Sequence, residues 1–248
     1  MAETDEETRL RIRRTRITAL IVACALFMQN LDSTVIATAL PTMARDFGAD
    51  PVRMNVALTS YLLSLAVFIP ASGWVADRYG AKPVFRAAIA IFTLGSVLCG
   101  RADSLSFLVL ARILQGVGGA MMVPVGRLLL IRTALKSELV AAMAWLSMPA
   151  LIGPVVGPPL GGFIVTYFSW RWVFDINVPV GVLGMVLVTL FVDDVREPGR
   201  AKLDGWGLLL SGLAMAGIMV GMETVGRGVV APWITWTLLG GGPLGGLG

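Results

Sequence analysis

Residues 17–40 read ITALIVACALFMQNLDSTVIATAL, an apolar run with a few small polar residues and a polar cluster that ends at Asp32. A helix needs about 20 mostly apolar residues to cross the hydrocarbon core of a bilayer. This run is long enough, and five arginines precede it within residues 9–16. We therefore expect a first membrane-spanning helix behind a cytoplasmic tail, residues 1–16. Because further apolar runs follow, we prefer a retained helix to a cleaved secretory signal.

Similar apolar runs recur along the rest of the chain. They lie at 54–76, 83–100, 105–131, 139–168, 170–192 and 206–224, and an eighth begins near residue 232 and continues into a Gly- and Leu-rich stretch. None of them shows the alternation of apolar and polar residues that is typical of membrane β-barrel strands. The sequence therefore predicts an all-α, polytopic membrane protein.

The composition excludes several classes of protein. Of the 248 residues, 56% are hydrophobic and only 15% are charged, against about 25% charged in an average soluble domain. A soluble fold of this size could not bury so much apolar surface, so soluble enzymes and nucleic-acid-binding proteins are excluded. The chain has no histidine, so it cannot build a histidine metal site or a Ser-His-Asp triad. We expect no metal, no cofactor, no catalytic residues and no nucleic-acid partner.

The basic residues predict an orientation. If the N-terminus is cytoplasmic and the runs alternate across the membrane, the cytoplasmic segments hold 14 Lys and Arg residues and the outer segments hold five. Cytoplasmic loops of membrane proteins carry such an excess of basic residues. We therefore expect a multi-pass protein whose N-terminus lies in the cytoplasm.

Two ionisable residues lie within the apolar runs, where a charge is costly and indicates function. Asp32 precedes Leu40 by eight residues, which places it about 12 Å from the outer end of the first run. Arg112 follows Leu105 by seven residues, about 10 Å deep from the same side. The opposite charges therefore lie at nearly the same depth, as an inward-facing ion pair or a proton site would require.

Two interpretations of this pair remain open. The pair could be static and only join two helices. Alternatively, Asp32 could gain and lose a proton during transport, because desolvation favours the neutral form of a carboxyl group and a nearby cation such as Arg112 favours the charged form.

Two further patterns occur in the fifth and sixth runs. In the fifth run, glycines recur at every fourth position with prolines interleaved, as Gly153, Gly157 and Gly161 with Pro154, Pro158 and Pro159. Such glycines let helices pack closely in lipid, and the prolines predict a bend. In the sixth run, Asp175 and Asn177 follow two tryptophans, and we expect both polar side chains to lie at the outer interface.

Four motifs carry a resemblance to a known family. They read LDSTVIATALP at 31–41, GWVADRYGAK at 73–82, RILQGVGG at 112–119 and GPVVGPPLGG at 153–162. In this order and on these runs they resemble the motifs of the major facilitator superfamily, and within it the fourteen-span drug:proton antiporters of bacteria. WRWVFDINVPVG at 170–181 is also similar to that family. Ala81 departs from a usual basic residue of the family, and Asp175 from a usual apolar one.

The resemblance implies a role for each motif. Asp32 would bind the proton and Arg112 would be its electrostatic partner in the export of small hydrophobic or cationic compounds. The residues of an inner gate would be Gly73, Asp77, Arg78, Gly80 and Lys82, and we expect Gly73 and Gly80 to let the helices turn tightly there. The antiporter motif would comprise Gly153, Pro154, Gly157, Pro158, Gly161 and Gly162. Candidate cavity residues are Gln29, Asn30 and Gln115.

The resemblance also implies a domain plan. Residues 17–192 would form the N-terminal six-helix domain, 193–205 a cytoplasmic loop, and 206–248 two linking helices of which the last is incomplete. The family's chains are about twice as long, so a second half is expected as a partner, unless another copy of the chain replaces it. Besides antiport in a bacterial plasma membrane, two alternatives stay open: a truncated, non-transporting fragment or scaffold, and an importer of another solute.

Overall fold

The computed structural model describes residues 5–134, 137–193 and 205–224, and in these ranges the chain forms nine helices and no strand. The helices are α1 (Asp5–Phe47), α2 (Pro51–Phe68), α3 (Ala71–Tyr79), α4 (Ala81–Gly100), α5 (Leu105–Thr133), α6 (Leu139–Tyr167), α7 (Trp172–Asp175), α8 (Asn177–Phe191) and α9 (Gly205–Thr224). The predicted all-α fold is confirmed.

Within the described ranges, six helical segments are long and apolar enough to cross a membrane. They are Ile12–Phe47, Pro51–Phe68, Ala81–Gly100, Leu105–Thr133, Leu139–Tyr167 and Trp172–Phe191. The seventh predicted run corresponds to α9, in which Gly205–Ile218 forms a shorter apolar helix. The eighth predicted run lies outside the described residues.

Two of the predicted runs are divided in the structure. The second run, 54–76, breaks between Phe68 and Ala71, where Pro70 precedes α3 and cannot donate a backbone hydrogen bond. The sixth run is divided at Ile176 into the single turn of α7 and the longer α8. By contrast, α1 begins at Asp5, so the helix extends into the residues that were expected to form a tail.

Local sequence signals explain where the helices begin and turn. The carboxylate of Asp50 accepts a hydrogen bond from the backbone N–H of Val52 at 2.8 Å and so caps α2. Ser104 caps α5 in the same way through the N–H of Phe107 at 3.3 Å. Gly80 joins α3 to α4 with a φ of 94°, a backbone conformation that glycine adopts without strain.

The buried apolar side chains of the bundle form two clusters, one after the other along its length. One cluster of buried apolar side chains includes Met28 and Phe92, and a second includes Leu31 and Trp170. Asp32 follows the junction of the two clusters along α1. Close helix contacts hold the bundle together there; for example, a Cβ on Gly95 of α4 would lie 2.7 Å from the Cα of Gln115 on α5.

Candidate functional site

The structure brings together the two charges that the sequence places at similar depth. Nη1 of Arg112 on α5 lies 2.6 Å from Oδ2 of Asp32 on α1, and both side chains are fully buried. Nε of Arg112 donates to the carbonyl oxygen of Ala57 on α2 at 3.3 Å. The guanidinium carbon lies 4.1 Å from the centroid of the Tyr61 ring, a cation–π geometry. Three helices therefore hold one buried ion pair.

Three further polar side chains complete this cluster. Oδ1 of Asp32 accepts hydrogen bonds from Nε2 of Gln115 at 2.9 Å and from Nδ2 of Asn177 at 2.8 Å. Oε1 of Gln115 accepts a bond from Nη1 of Arg112 at 2.7 Å. Ser96 on α4 accepts bonds from both amides, at 3.2 and 2.9 Å. The buried cluster thus joins α1, α4, α5 and α8.

The expected position of Asn177 is wrong. The sequence pattern predicts an interfacial position beside Asp175, whereas the side chain of Asn177 is buried at 1% exposure and reaches Asp32. The reason is the division of the sixth run at Ile176, after which α8 begins inside the bundle. Ser96 was missed altogether. Asn177 and Ser96 are both polar residues within apolar runs. This pattern predicts a hydrogen-bond partner for each, because burying a polar group without one is costly.

Of the candidate cavity residues, Gln115 belongs to the cluster, whereas the hydrogen bonds of Asp32 involve neither Gln29 nor Asn30. Asn30 donates from Nδ2 to the carbonyl oxygen of Leu26 in its own helix at 2.8 Å. Within the part of the chain that the structure describes, Oε1 of Gln29 and the hydroxyl of Tyr61 are buried without a hydrogen-bond partner. Sequence reasoning did not single out Tyr61.

The gate motif is only partly assembled as expected. Oδ1 of Asp77 lies 2.8 Å from Nη2 of Arg132, at the end of α5. Lys82 instead donates to the carbonyl oxygen of Thr189 on α8 at 3.1 Å, and Arg78 is exposed. The cation that pairs with Asp77 therefore comes from a different helix rather than from the motif itself.

The two motif glycines differ in what the structure shows. Gly80 makes the turn between α3 and α4. Gly73 lies within α3, and a Cβ added there would meet nothing within 4 Å. The expectation that Gly73 makes a tight turn is therefore wrong, because the chain breaks earlier, at Pro70.

The glycine stripe of α6 packs against α1. A Cβ on Gly153 would lie 2.9 Å from the Cβ of Asn30, and Cβ atoms on Gly157 and Gly161 would collide with the side chains of Thr34 and Thr38. Gly162 is off this face, with nothing within 4 Å of an added Cβ. The neighbouring Pro154 and Pro158 are exposed, and α6 continues through them as one helix.

A second polar cluster lies at the end of α4 opposite Asp77. Nε1 of Trp170 donates to Oδ2 of Asp46 at 2.6 Å. Arg171 stacks on the Trp170 ring with its guanidinium carbon 4.4 Å from the centroid. Arg101 lies 3.3 Å from the carboxylate of Asp175. These contacts join the end of α1 to the segment between α6 and α8.

The sequence and the fold can both be compared with known proteins. Residues 22–245 match the family model described as Major Facilitator Superfamily. Over 224 residues the chain is 46% identical to MdtD of Salmonella typhimurium, whose name proposes a role in multidrug resistance, and to MdtD of Salmonella paratyphi B. Each match covers 90% of this chain and 47% of the relative. The chain thus spans about half the length of the curated relatives that it matches.

Solved structures share the fold at low sequence identity. The proton:xylose symporter XylE aligns with a TM-score of 0.65 and 14% identity, over 88% of this chain and 55% of its own. The human organic anion transporter MFSD10 aligns with a TM-score of 0.62 and 13% identity, over 91% and 59% of the two chains. These likenesses show the fold alone. With its match to the family model and its six apolar helical segments, this multi-pass membrane protein belongs to the Major Facilitator Superfamily.

Proposed function

We propose that the chain forms the first six-helix half of a transporter that exports small hydrophobic or cationic compounds in exchange for protons. The observation that carries this proposal is Asp32, the one fully buried acidic side chain among the described residues. The identity with MdtD supports drug-like compounds as the substrate class. An ionisable group buried in a membrane-spanning bundle is expensive and is retained for function.

The cluster suggests how proton binding would change the bundle. When Asp32 is ionised, Arg112 has a counter-ion and the ion pair joins α1 to α5. A proton on Asp32 would neutralise the carboxylate and leave the buried guanidinium without that partner. The neutral form would then favour a different arrangement of α1 and α5. A proton shifts the equilibrium between two conformations when it binds one of them more tightly than the other.

Transporters of this fold move one six-helix half against the other around a site near the middle of the membrane. The proposed activity therefore needs a second six-helix unit, supplied by further chain, by a separate polypeptide or by another copy. The pair Asp77–Arg132 joins α3 to α5 at one end of this half.

We infer that the end with the Asp77–Arg132 pair faces the cytoplasm of a bacterium, together with the N-terminus. The excess of basic residues on that side supports the orientation. A fluorescent-protein fusion after Asp193 should fluoresce, and an alkaline phosphatase fusion after Asp103 should be active. The reverse result for both fusions would contradict the orientation.

A chimera tests the export proposal. Residues 22–245 would replace the matching region of MdtD from Salmonella typhimurium, and inverted membrane vesicles would be energised by a pH gradient. Addition of a fluorescent cation such as ethidium should release protons. Asp32→Asn should abolish this release, and Asp103→Asn, which neutralises an exposed carboxylate 3.6 Å from Arg171, should leave it intact.

Three results would count against the proposal. Undiminished proton-coupled efflux in Asp32→Asn would exclude Asp32 as the proton site. Substrate movement in the opposite direction would indicate an importer. A chimera that is folded and inserted but moves no substrate would favour a scaffold role for this half.

A further inference from the structure

The carboxylate of Asp32 is surrounded by hydrogen-bond donors. Oδ2 accepts from Arg112, and Oδ1 accepts from Gln115 and from Asn177. An ionised carboxylate accepts at both oxygens, whereas a protonated carboxyl group must donate from one of them. An arrangement of three donors therefore fits the ionised form of Asp32.

Ser96 orients the two amides that bind Asp32. Its hydroxyl donates to the carbonyl oxygen of Phe174 at 3.1 Å. Because a hydroxyl has a single hydrogen, the lone pairs of the oxygen are left to accept from Asn177 and Gln115. Each amide nitrogen thus bridges Ser96 and Asp32. Neither amide can turn its oxygen towards the carboxylate without losing two hydrogen bonds.

Few other ionisable groups face this carboxylate. Arg112 on α5 is the charged group in contact with it. The Tyr61 phenol on α2 lies with its ring against Arg112, and the Cys99 thiol on α4 donates to Gln115 at 3.6 Å. Helix α8 contains no ionisable residue, and α6 contains only Tyr167, at its last position. On α7, Asp175 is paired with Arg101.

We propose that Asn177 is a positioning residue of the proton site: its amide, oriented by Ser96, stabilises ionised Asp32 and sets the pH at which that carboxyl group takes up a proton. The role of Asn177 in transport rests on the proposed function. The effect on the carboxylate follows from the hydrogen bonds of the cluster. Asn177 differs from Arg112 in bringing no charge, and it brings α8 into contact with the carboxylate.

The substitution Asn177→Leu removes this donor and keeps a side chain of similar size. Loss of a hydrogen bond to the charged form favours the neutral form. Asp32 should therefore take up its proton at a pH higher by about one unit. Ser96→Ala keeps both amide donors and removes the acceptor that orients them, so it should cause a smaller shift in the same direction.

Infrared difference spectroscopy on the purified chain in lipid bilayers tests this directly. The carbonyl stretch of protonated Asp32 is assigned by its absence in Asp32→Asn and is titrated between about pH 4 and pH 9. Asn55→Leu is the matched control, because it removes a half-buried amide on α2 that is not bonded to Asp32. The midpoint should rise in Asn177→Leu, rise less in Ser96→Ala, and stay unchanged in Asn55→Leu.

The proposal is overturned if the midpoint is unchanged in both Asn177→Leu and Ser96→Ala, or if Asn55→Leu moves it equally. It is also overturned if the Asp32 band does not titrate in any variant. If Asn177→Leu does not yield folded protein, Ser96→Ala alone decides, and an unchanged midpoint there overturns the proposal.

The infrared measurement does not require transport, which separates this inference from the proposed function. In the MdtD chimera, the pH profile of substrate-driven proton release should move by the same amount as the infrared midpoint. A shifted midpoint in a chimera that does not transport would refute the proposed function alone. An unshifted midpoint together with Asp32-dependent transport would refute the role of Asn177 alone.

Discussion

At the scale of single residues, the central feature is a pair of opposite charges that is removed from solvent. Arg112 and Asp32 are both fully buried, and desolvation of two charges costs several kcal/mol for each ion. Attraction repays this cost only where the remaining polar groups are also satisfied. Here Gln115 and the carbonyl oxygen of Ala57 accept from the guanidinium, and the Tyr61 ring covers it. Among the described residues, Nη2 of Arg112 is buried without a hydrogen-bond partner, so the pair repays only part of its desolvation cost.

Removal of one partner of this pair should destabilise the protein more than removal of both. Arg112→Met leaves an uncompensated carboxylate and should lower the free energy of unfolding by about 3 to 5 kcal/mol. The double variant Asp32→Asn/Arg112→Met leaves no buried charge and should lose less. Thermal unfolding of the purified protein in detergent, followed across the cycle of variants, measures the difference.

At the scale of elements, helix α6 approaches α1 closely because three glycines present no side chain to it. Gly153, Gly157 and Gly161 face Asn30, Thr34 and Thr38 along one line of contact. The hydroxyl oxygen of Thr34 also lies 3.5 Å from the carbonyl oxygen of Gly153, although it donates at 3.0 Å to the carbonyl oxygen of Leu31 in its own helix. Close backbone contact of this kind is a main source of helix association in lipid.

An alanine on this line should separate the two helices. In Gly157→Ala the new methyl group collides with Thr34, whose Cβ would lie 2.8 Å away. We expect a loss of about 1 to 3 kcal/mol in the free energy of unfolding. Gly162→Ala places the same methyl group where nothing lies within 4 Å and should not destabilise. Equal unfolding temperatures of the two variants would contradict the packing argument.

At the scale of the whole molecule, the bundle exposes large apolar side chains on its outside. On α8, Leu183 and Leu190 are 57% and 69% exposed. In water such a surface would promote association, whereas in a bilayer it contacts lipid. Ion pairs of the described residues, such as Asp77–Arg132 and Arg101–Asp175, lie instead at the two ends of the bundle, and Arg112–Asp32 lies in its interior.

The position of the bundle in the membrane can be tested with one substitution at two depths. Leu183→Arg places a charge near the middle of the span Trp172–Phe191, where insertion of arginine costs about 2.5 to 3.5 kcal/mol. Leu190→Arg places it one residue before the helix ends, where the side chain can reach the interface. The first variant should yield much less folded protein from membranes than the second. Similar yields would contradict this placement.

Some of these features follow from the sequence alone. The apolar runs predict the membrane helices, since the length of a run and the cost of exposing its backbone in lipid are local properties. The depths of Asp32 and Arg112 can be read in the same way, because helical rise converts residue number into distance. Residue type permits the turn at Gly80 but does not fix it, because Gly73 of the same motif lies within α3.

Other features depend on which helix faces which, and no local pattern states this. Asp77 pairs with Arg132 instead of a residue of its own motif, and Gly157 contacts α1 while Gly162 does not. Asn177 joins Asp32 because the chain divides at Ile176 and α8 begins inside the bundle. Local sequence is therefore enough to predict the membrane helices. The partners of the two charges depend on the fold, because hydrogen bonds require atoms from separate helices to meet within about 3 Å.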